Sequence, residues 1–123
     1  EVKSPGLKYR HYAPKAKLFV IDGDYKAMTA KIQKLIGKYK KQGKKVGVMA
    51  VLESKNNYPQ ADVVLSVGSR HQLQTIAKNL FKTLRQFDQQ PIDIILVESF
   101  AETGLGLAIM NRLKRAAVNP QAN

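Results

Sequence analysis

Short runs in which nearly every residue is apolar alternate along this chain with longer stretches in which apolar residues return every three or four positions. Leu18-Phe19-Val20-Ile21 is the first such run, closed by Asp22-Gly23-Asp24, and it reads as a short buried strand followed by a turn. From about Tyr25 to Gln42 the pattern predicts a helix, with Met28, Ile32, Leu35 and Tyr39 on one apolar stripe. Lys26, Lys31, Lys34, Lys38 and Lys41 lie mostly off that stripe, toward water, and Gly43 supplies the stop, with lysines near the negative end of the helix dipole. Val46 to Leu52 predicts a second strand, apolar nearly throughout except for Gly47, and a polar loop from Glu53 to Gln60 follows. Val63 to Val67 predicts a third strand, after which Gly68-Ser69-Arg70-His71 turns into a helix from about Gln72 to Phe87. The stripe of that helix is Leu73, Ile76, Ala77, Leu80, Phe81, Leu84 and Phe87. Ile92 to Val97 predicts a fourth strand and Leu105 to Ala117 a last amphipathic helix, with fraying expected after Asn119.

Strands that are apolar on consecutive residues are buried on both faces, which requires a mainly parallel sheet covered by helices. The expected fold class is therefore α/β: a three-layer αβα sandwich of Rossmann-like character, with a mainly parallel sheet of about four to five strands. One connection, between the second and third strands, is short. It is open to two readings, a brief helical turn around Tyr58 to Asp62 or an antiparallel strand at an edge. No internal repeat or low-complexity tract is present.

Composition narrows the class. A chain of 123 residues with 44% hydrophobic content is one domain with a core, and not a disordered segment. No apolar run approaches the roughly 20 residues of a membrane span. The N-terminus lacks the apolar core of a signal peptide, and a start at Glu1 without Met, directly before a linker-like segment, leads us to expect a piece of a longer protein. Cysteine is absent, which excludes thiolate chemistry and zinc–cysteine sites and fits a cytoplasmic protein. The net charge is +12, with 21 Lys plus Arg against 9 Asp plus Glu, a balance that favours RNA, nucleotides or an acidic partner domain. Eight of the lysines lie between Lys26 and Lys45. They read first as a solvated helix face, and second as a surface for a polyanion.

Candidate chemistry is sparse. Gly104-Leu105-Gly106-Leu107-Ala108-Ile109 resembles a dinucleotide fingerprint, but Ile109 stands where close packing needs Gly or Ala, and the strand ends too early for a tight turn. Gly104 and Gly106 are therefore read as allowing close backbone packing at a helix start. Asp22, Asp24, Glu53 and Glu98 all follow predicted strands and so fall on one rim of a parallel sheet. They could hold a hydrated Mg²⁺, but helix capping by Asp22 and Asp24 and a solvated loop at Glu98 are the simpler expectation. Ser69 and Arg70, between a strand and a helix N-terminus, are a possible anion site, with capping by Ser66 or Ser69 as the alternative. Arg85 and Asp88 are expected to form an i,i+3 ion pair. Asn111 and Arg112 fall within a helix that packs on the sheet, and Asn111 needs a local partner, either a loop backbone or another domain. The glycine spacing of a P-loop fails at Gly37 and Gly43, and no nucleophile elbow exists. His11 and His71 cannot build a multi-histidine metal centre. No self-contained active site is legible, so no catalytic and no metal-binding residue is assigned.

Before the first strand lies Ser4-Pro5-Gly6-Leu7-Lys8-Tyr9-Arg10-His11-Tyr12-Ala13-Pro14. Two prolines and a glycine make it an extended arm, yet it concentrates Lys8, Arg10, His11, Tyr9 and Tyr12. That chemistry suits contact with a phosphorylated or otherwise anionic ligand. The segment resembles the interdomain linker of the Sua5 family of threonylcarbamoyl-adenylate synthases, with Leu7 in place of the usual Met. Glu102-Thr103-Gly104-Leu105-Gly106-Leu107-Ala108-Ile109-Met110-Asn111-Arg112-Leu113 resembles a second segment of the same family. The resemblance covers the whole chain but only the linker and C-terminal portion of such an enzyme. It divides the chain into an arm at 1–16 and a Rossmann-like C-terminal domain at 17–123.

The resemblance implies that the chemistry belongs to an N-terminal YrdC-like catalytic domain outside this chain. That domain joins threonine, bicarbonate and ATP into threonylcarbamoyl-AMP and pyrophosphate, for t⁶A modification of tRNA. ATP and Mg²⁺ are implied for the whole enzyme and no cofactor for this part, which is expected to be inactive alone. The implied partner is the catalytic domain, with the tRNA-modification machinery as a further candidate and no membrane. By the same resemblance the arm is a lid: Lys8 and Arg10 would meet nucleotide phosphates or acidic groups, Tyr9 and Tyr12 would stack or hydrogen-bond, and His11 would orient a neighbour or contact the nucleotide. Arg85, Asp88, Gly104, Gly106, Asn111 and Arg112 belong to the family's domain motifs. Two other readings stand beside this one: a free-standing RNA-binding module using the lysine face, and a nucleotide-binding regulatory domain using the strand-end rim. Only Tyr25 and Tyr39 lie near the lysine face, which disfavours single-strand stacking.

Overall fold

The computed structural model describes residues 13–117. Strand β1 (Lys17–Ile21) leads into helix α1 (Tyr25–Lys41), then β2 (Val46–Ala50) and a 3₁₀ segment (Leu52–Asn57). Strand β3 (Val63–Ser66), helix α2 (Leu73–Phe87), strand β4 (Ile94–Glu98) and helix α3 (Leu105–Ala116) complete the order. The four strands form one sheet in the order β1-β4-β2-β3, and every pair is parallel. The architecture is the expected α/β sandwich, with an all-parallel sheet of four strands. The antiparallel edge strand weighed for the β2–β3 connection is not formed. Nor is the helical turn at Tyr58 to Asp62: a 3₁₀ segment forms instead at Leu52–Asn57, within the stretch expected as a polar loop.

The two central strands explain why consecutive residues had to be apolar. Along β4, Ile94 and Leu96 face the layer that holds α1, while Ile95 and Val97 face the layer that holds α2 and α3. Along β2, Val46, Val48 and Ala50 join the first layer, and Met49 the second. Each such Ile, Leu or Val contributes roughly 1.5–3 kcal/mol by leaving water.

Local signals set the helix ends. Asp24 caps α1 by accepting the Ala27 N–H at 2.9 Å. At the other end Gly43, at φ +77°, lets its own N–H reach the Lys40 carbonyl and the Lys44 N–H reach the Tyr39 carbonyl, each at 3.0 Å. This crossed pair of bonds satisfies carbonyls that would otherwise be orphaned. The fully buried residues of α1 are Met28, Ile32 and Ile36. Leu35 and Tyr39, expected on the stripe, flank it and are partly buried.

Gly47 interrupts the apolar run of β2 because the Phe87 ring from α2 packs against its backbone. A Cβ at this position would stand 2.6 Å from one ring carbon and 2.9 Å from the next. Phe87 is 1% exposed and belongs to the buried core. Gly47→Ala is therefore expected to lower stability by about 1–3 kcal/mol through overpacking, as read by urea denaturation. An unchanged midpoint would show that the Phe87 ring can shift.

Candidate functional site

All strands of a parallel sheet end on one rim, and ligands of open α/β sheets bind there, in the crevice where neighbouring strands send their helices to opposite faces. Strands β1 and β4 are such neighbours: the chain leaves β1 into α1 on one face and β4 into α3 on the other. A cleft of about 550 Å³ opens at this point, between the Asp22-Gly23 turn and the 99–103 loop. Tyr25, Met28, Val51, Arg70, Leu73 and Phe100 complete its walls.

The floor of the cleft is organised by Glu98, the last residue of β4. Its side chain falls on the same face as Ile94 and Leu96, under the 3₁₀ segment, and it is 2% exposed. Three donors converge on the carboxylate: the Val51 N–H at 2.9 Å, the Ser54 hydroxyl at 2.7 and 2.6 Å from its two oxygens, and the Tyr58 hydroxyl at 2.5 Å. The expected solvated loop at Glu98 is thus overturned. The register of β4 turns this side chain inward, and a buried carboxylate has to be met by donors. Burial, and then the bond to Glu98, push the Tyr58 hydroxyl pKa well above its ordinary value.

The anion position expected at Ser69 and Arg70 exists, and the chain fills it itself. Glu53, from the 3₁₀ segment, accepts the Ser69 hydroxyl on one oxygen and the Arg70 N–H at 2.9 Å on the other. Ser69 in turn accepts the His71 N–H at 3.1 Å. The Ser69 hydroxyl, followed by the Arg70 amide, lowers the Glu53 pKa from 4.5 to about 2. The Arg70 guanidinium lies over the Tyr25 ring, 4.4 Å from its centroid, a cation–π arrangement. Tyr25 is fixed in turn by the Asn57 side-chain amide, which donates to its hydroxyl at 2.9 Å. The four rim carboxylates weighed as a Mg²⁺ site are therefore dispersed: Asp24 caps α1, Glu53 holds the 69–70 turn, Glu98 is buried, and Asp22 remains at the cleft mouth. No three metal-ligating side chains converge among the described residues.

The remaining sequence candidates lie apart from this cleft or at its edge. Gly104 adopts φ +54° at the start of α3. Gly106 packs so closely that a Cβ would fall 2.1 Å from the Ala101 carbonyl oxygen. Both glycines serve the backbone of the loop that forms one wall. Arg85 is exposed on α2. Asp88 reaches across the sequence, accepting the Lys15 N–H at 2.9 Å, beside the buried Pro14. That bond ties the beginning of the domain to the end of α2, a role that i,i+3 spacing does not foretell. Asn111 is exposed and Arg112 half-buried on α3. Lys8, Tyr9, Arg10, His11 and Tyr12 fall outside the described residues. Sequence reading missed Tyr25 and Phe100 as cleft residues, because nothing local distinguishes them from ordinary core aromatics.

A family model described as threonylcarbamoyl-AMP synthase, C-terminal domain, matches residues 1–118. The chain belongs to this family. It is 48% identical over 114 residues to the threonylcarbamoyl-AMP synthase of Bacillus subtilis and 47% identical over 115 residues to that of Pyrococcus abyssi. These matches cover 93% and 94% of this chain but 32% of each relative, so the chain spans about a third of the length of these curated relatives. The crystal structure of P. abyssi Sua5 complexed with L-threonine superposes with a TM-score of 0.77 at 46% identity, over 94% of this chain and 32% of that one. A variant of the P. abyssi protein in which a histidine and the tyrosine after it are replaced by alanine gives 0.74 at 43% identity, over 85% and 28%. The separately solved C-terminal Sua5 domain of Pyrococcus horikoshii gives 0.68 at 41% identity, over 81% of this chain and 91% of that one. A family member's C-terminal domain thus stands as a folded unit by itself. No helix among the described residues is long and apolar enough to cross a membrane.

Glu98→Gln keeps one acceptor oxygen but turns an amide N–H₂ toward hydroxyl and amide donors. It is expected to cost about 1–3 kcal/mol, with Tyr58→Phe costing about 1 kcal/mol, both measured by urea denaturation. An E98Q protein as stable as the parent would show that the Val51, Ser54 and Tyr58 donors do not require a carboxylate. For Glu53, the folded state binds its proton more weakly than the unfolded state. Its stabilising contribution is therefore complete above about pH 4.5 and is lost as the pH falls toward about 2. Glu53→Gln should flatten the pH dependence of stability in that window and leave its slope above pH 5 unchanged.

Proposed function

We propose that this chain is the accessory part of a threonylcarbamoyl-AMP synthase, with its N-terminal arm serving as a lid over a separate catalytic domain. The observation that carries this reading is the family match, which runs without a break from the arm through the last helix. The reaction of the whole enzyme would join ATP, threonine and bicarbonate into threonylcarbamoyl-AMP with release of pyrophosphate, as a step toward t⁶A in tRNA. The intermediate is a mixed anhydride that water destroys, so a lid that excludes water protects the product as it forms.

An arm can close reproducibly only if its root is fixed. The bond from the Lys15 N–H to Asp88 and the burial of Pro14 supply that root. Beyond it, Lys8 and Arg10 bring positive charge to nucleotide phosphates, and Tyr9, His11 and Tyr12 supply rings and hydrogen-bonding groups. The sequence holds a single His-Tyr dipeptide, His11-Tyr12. A histidine and the following tyrosine are the pair replaced in the P. abyssi variant, which supports testing the same pair here. The domain itself carries no residue to which we assign catalysis.

The test is threonine-dependent pyrophosphate release by the full-length enzyme. Lys8→Ala/Arg10→Ala and His11→Ala/Tyr12→Ala are each expected to reduce the rate between about ten- and a hundredfold, the scale of a misplaced closing element, with no change in thermal midpoint. Asp88→Ala should produce a smaller loss by freeing the root of the arm. Full activity in both arm variants would sink the lid reading.

A further inference from the structure

We propose that the cleft between β1 and β4 is a binding site for a nucleoside monophosphate, with Arg70 holding the phosphate and Asp22 the ribose hydroxyls.

Arg70 is the starting point. Its Nε is buried and has no hydrogen-bond partner among the described residues, an arrangement that costs stability unless something else accepts the proton. The nearby Glu53 pairs with the guanidinium electrostatically but does not accept its proton. Its Oε1 lies 3.9 Å from Nε, beyond hydrogen-bonding reach, and its oxygens are already taken by the Ser69 hydroxyl and the Arg70 amide. Stacking on Tyr25 fixes the guanidinium plane without using any of its donors. A planar cation held in place with its donors unspent suits a phosphate or carboxylate.

The rest of the lining narrows the ligand. Among the described residues Arg70 is the one cation that lines the cleft, whereas Asp22, Glu98 and Glu102 are acidic. Glu98 is consumed by its own donors, and Glu102 is engaged by Lys114 at 3.2 Å. Asp22 is exposed at the mouth and free to accept from a ligand hydroxyl. One arginine facing carboxylates suits a single phosphate and opposes a polyphosphate, whose added charge would meet Asp22 and Glu102. Met28, Val51, Leu73 and Phe100 supply an apolar wall for a flat ring. At about 550 Å³ the cleft falls in the range of small-molecule sites and exceeds what an inorganic anion fills.

The turns at this rim depend on glycine. Gly23, Gly68 and Gly104, after three of the four strands, have φ of +128°, +124° and +54°, so the backbone at this rim takes turns closed to other residues. At the head of the 99–103 loop, the Ser99 N–H and hydroxyl donate to the Met28 sulfur at 3.2 and 3.5 Å. Sulfur is a weak acceptor, and a ligand oxygen would be the better partner for that hydroxyl.

The experiment is an amide NMR titration of this chain with AMP, GMP, CMP and UMP, with inorganic phosphate and ATP run alongside. At least one monophosphate is expected to shift the amides of Gly23, Arg70 and residues 99–103. Arg70→Gln should weaken binding at least tenfold. Asp22→Asn, an exposed change that leaves folding untouched, should weaken nucleotide binding but not that of inorganic phosphate. Lys34→Gln, on the outer face of α1, should change nothing. Absence of cleft shifts at millimolar nucleotide would overturn the proposal. So would ATP binding more tightly than AMP with shifts along Lys31, Lys34 and Lys38, or nucleotide binding indifferent to both Arg70 and Asp22.

Discussion

A carboxylate shut away from water must be given donors, and in this domain that requirement organises the whole functional rim. Glu98 ends the central strand β4 with its side chain turned inward, and no group within the sheet is free to bond it. The donors come from the connection that follows β2. Val51 offers its amide as that strand ends, and Ser54 and Tyr58 offer hydroxyls from the 3₁₀ segment and its end. Meeting Glu98 draws this segment over the sheet. The same fold presents Glu53 to the 69–70 turn and Asn57 to Tyr25. Arg70 and Tyr25, held by those two contacts, then stack to form one wall of the cleft. One buried acid at a strand end thus places six side chains, drawn from the β2–β3 connection, the turn after β3 and the start of α1.

A parallel sheet has little freedom in how it presents function. Its two central strands are sealed on both faces, so chemistry is confined to the ends of the strands and to the outer helix faces. The two ends are used differently here. The carboxyl ends hold the cleft, with glycine-rich turns and aromatic walls. The opposite end holds the root of the arm, where Asp88 at the close of α2 bonds Lys15 just before β1. The Lys15–Asp88 bond at one end and the cleft at the other occupy separate surfaces of the domain.

Much of this was legible from the order of residues. Consecutive apolar residues in strands state that both faces are buried, and helical spacing states where each helix turns its stripe. Gly43 and Asp24 mark helix ends through backbone conformation and capping, which are local effects. The two family segments are contiguous strings, so the kinship of the chain is readable without any structure. Local pattern also carried the reading of Gly104 and Gly106 as backbone glycines, since their need arises within a few residues.

The candidate site was not legible in the same way. Glu53 and Ser69 are 16 residues apart, Ser54 and Glu98 are 44 apart, and Asp88 bonds a backbone amide 73 residues away. A carboxylate after a strand looks the same in sequence whether it caps a helix, as Asp24 does, fills an anion site, as Glu53 does, or lies buried, as Glu98 does. Only strand order and register distinguish these fates. The layers, the covered faces and the family are written in the order of residues, because they follow from periodicity and contiguous motifs. Which polar groups meet is settled only on folding, because hydrogen bonds and burial act between residues that lie far apart along the chain.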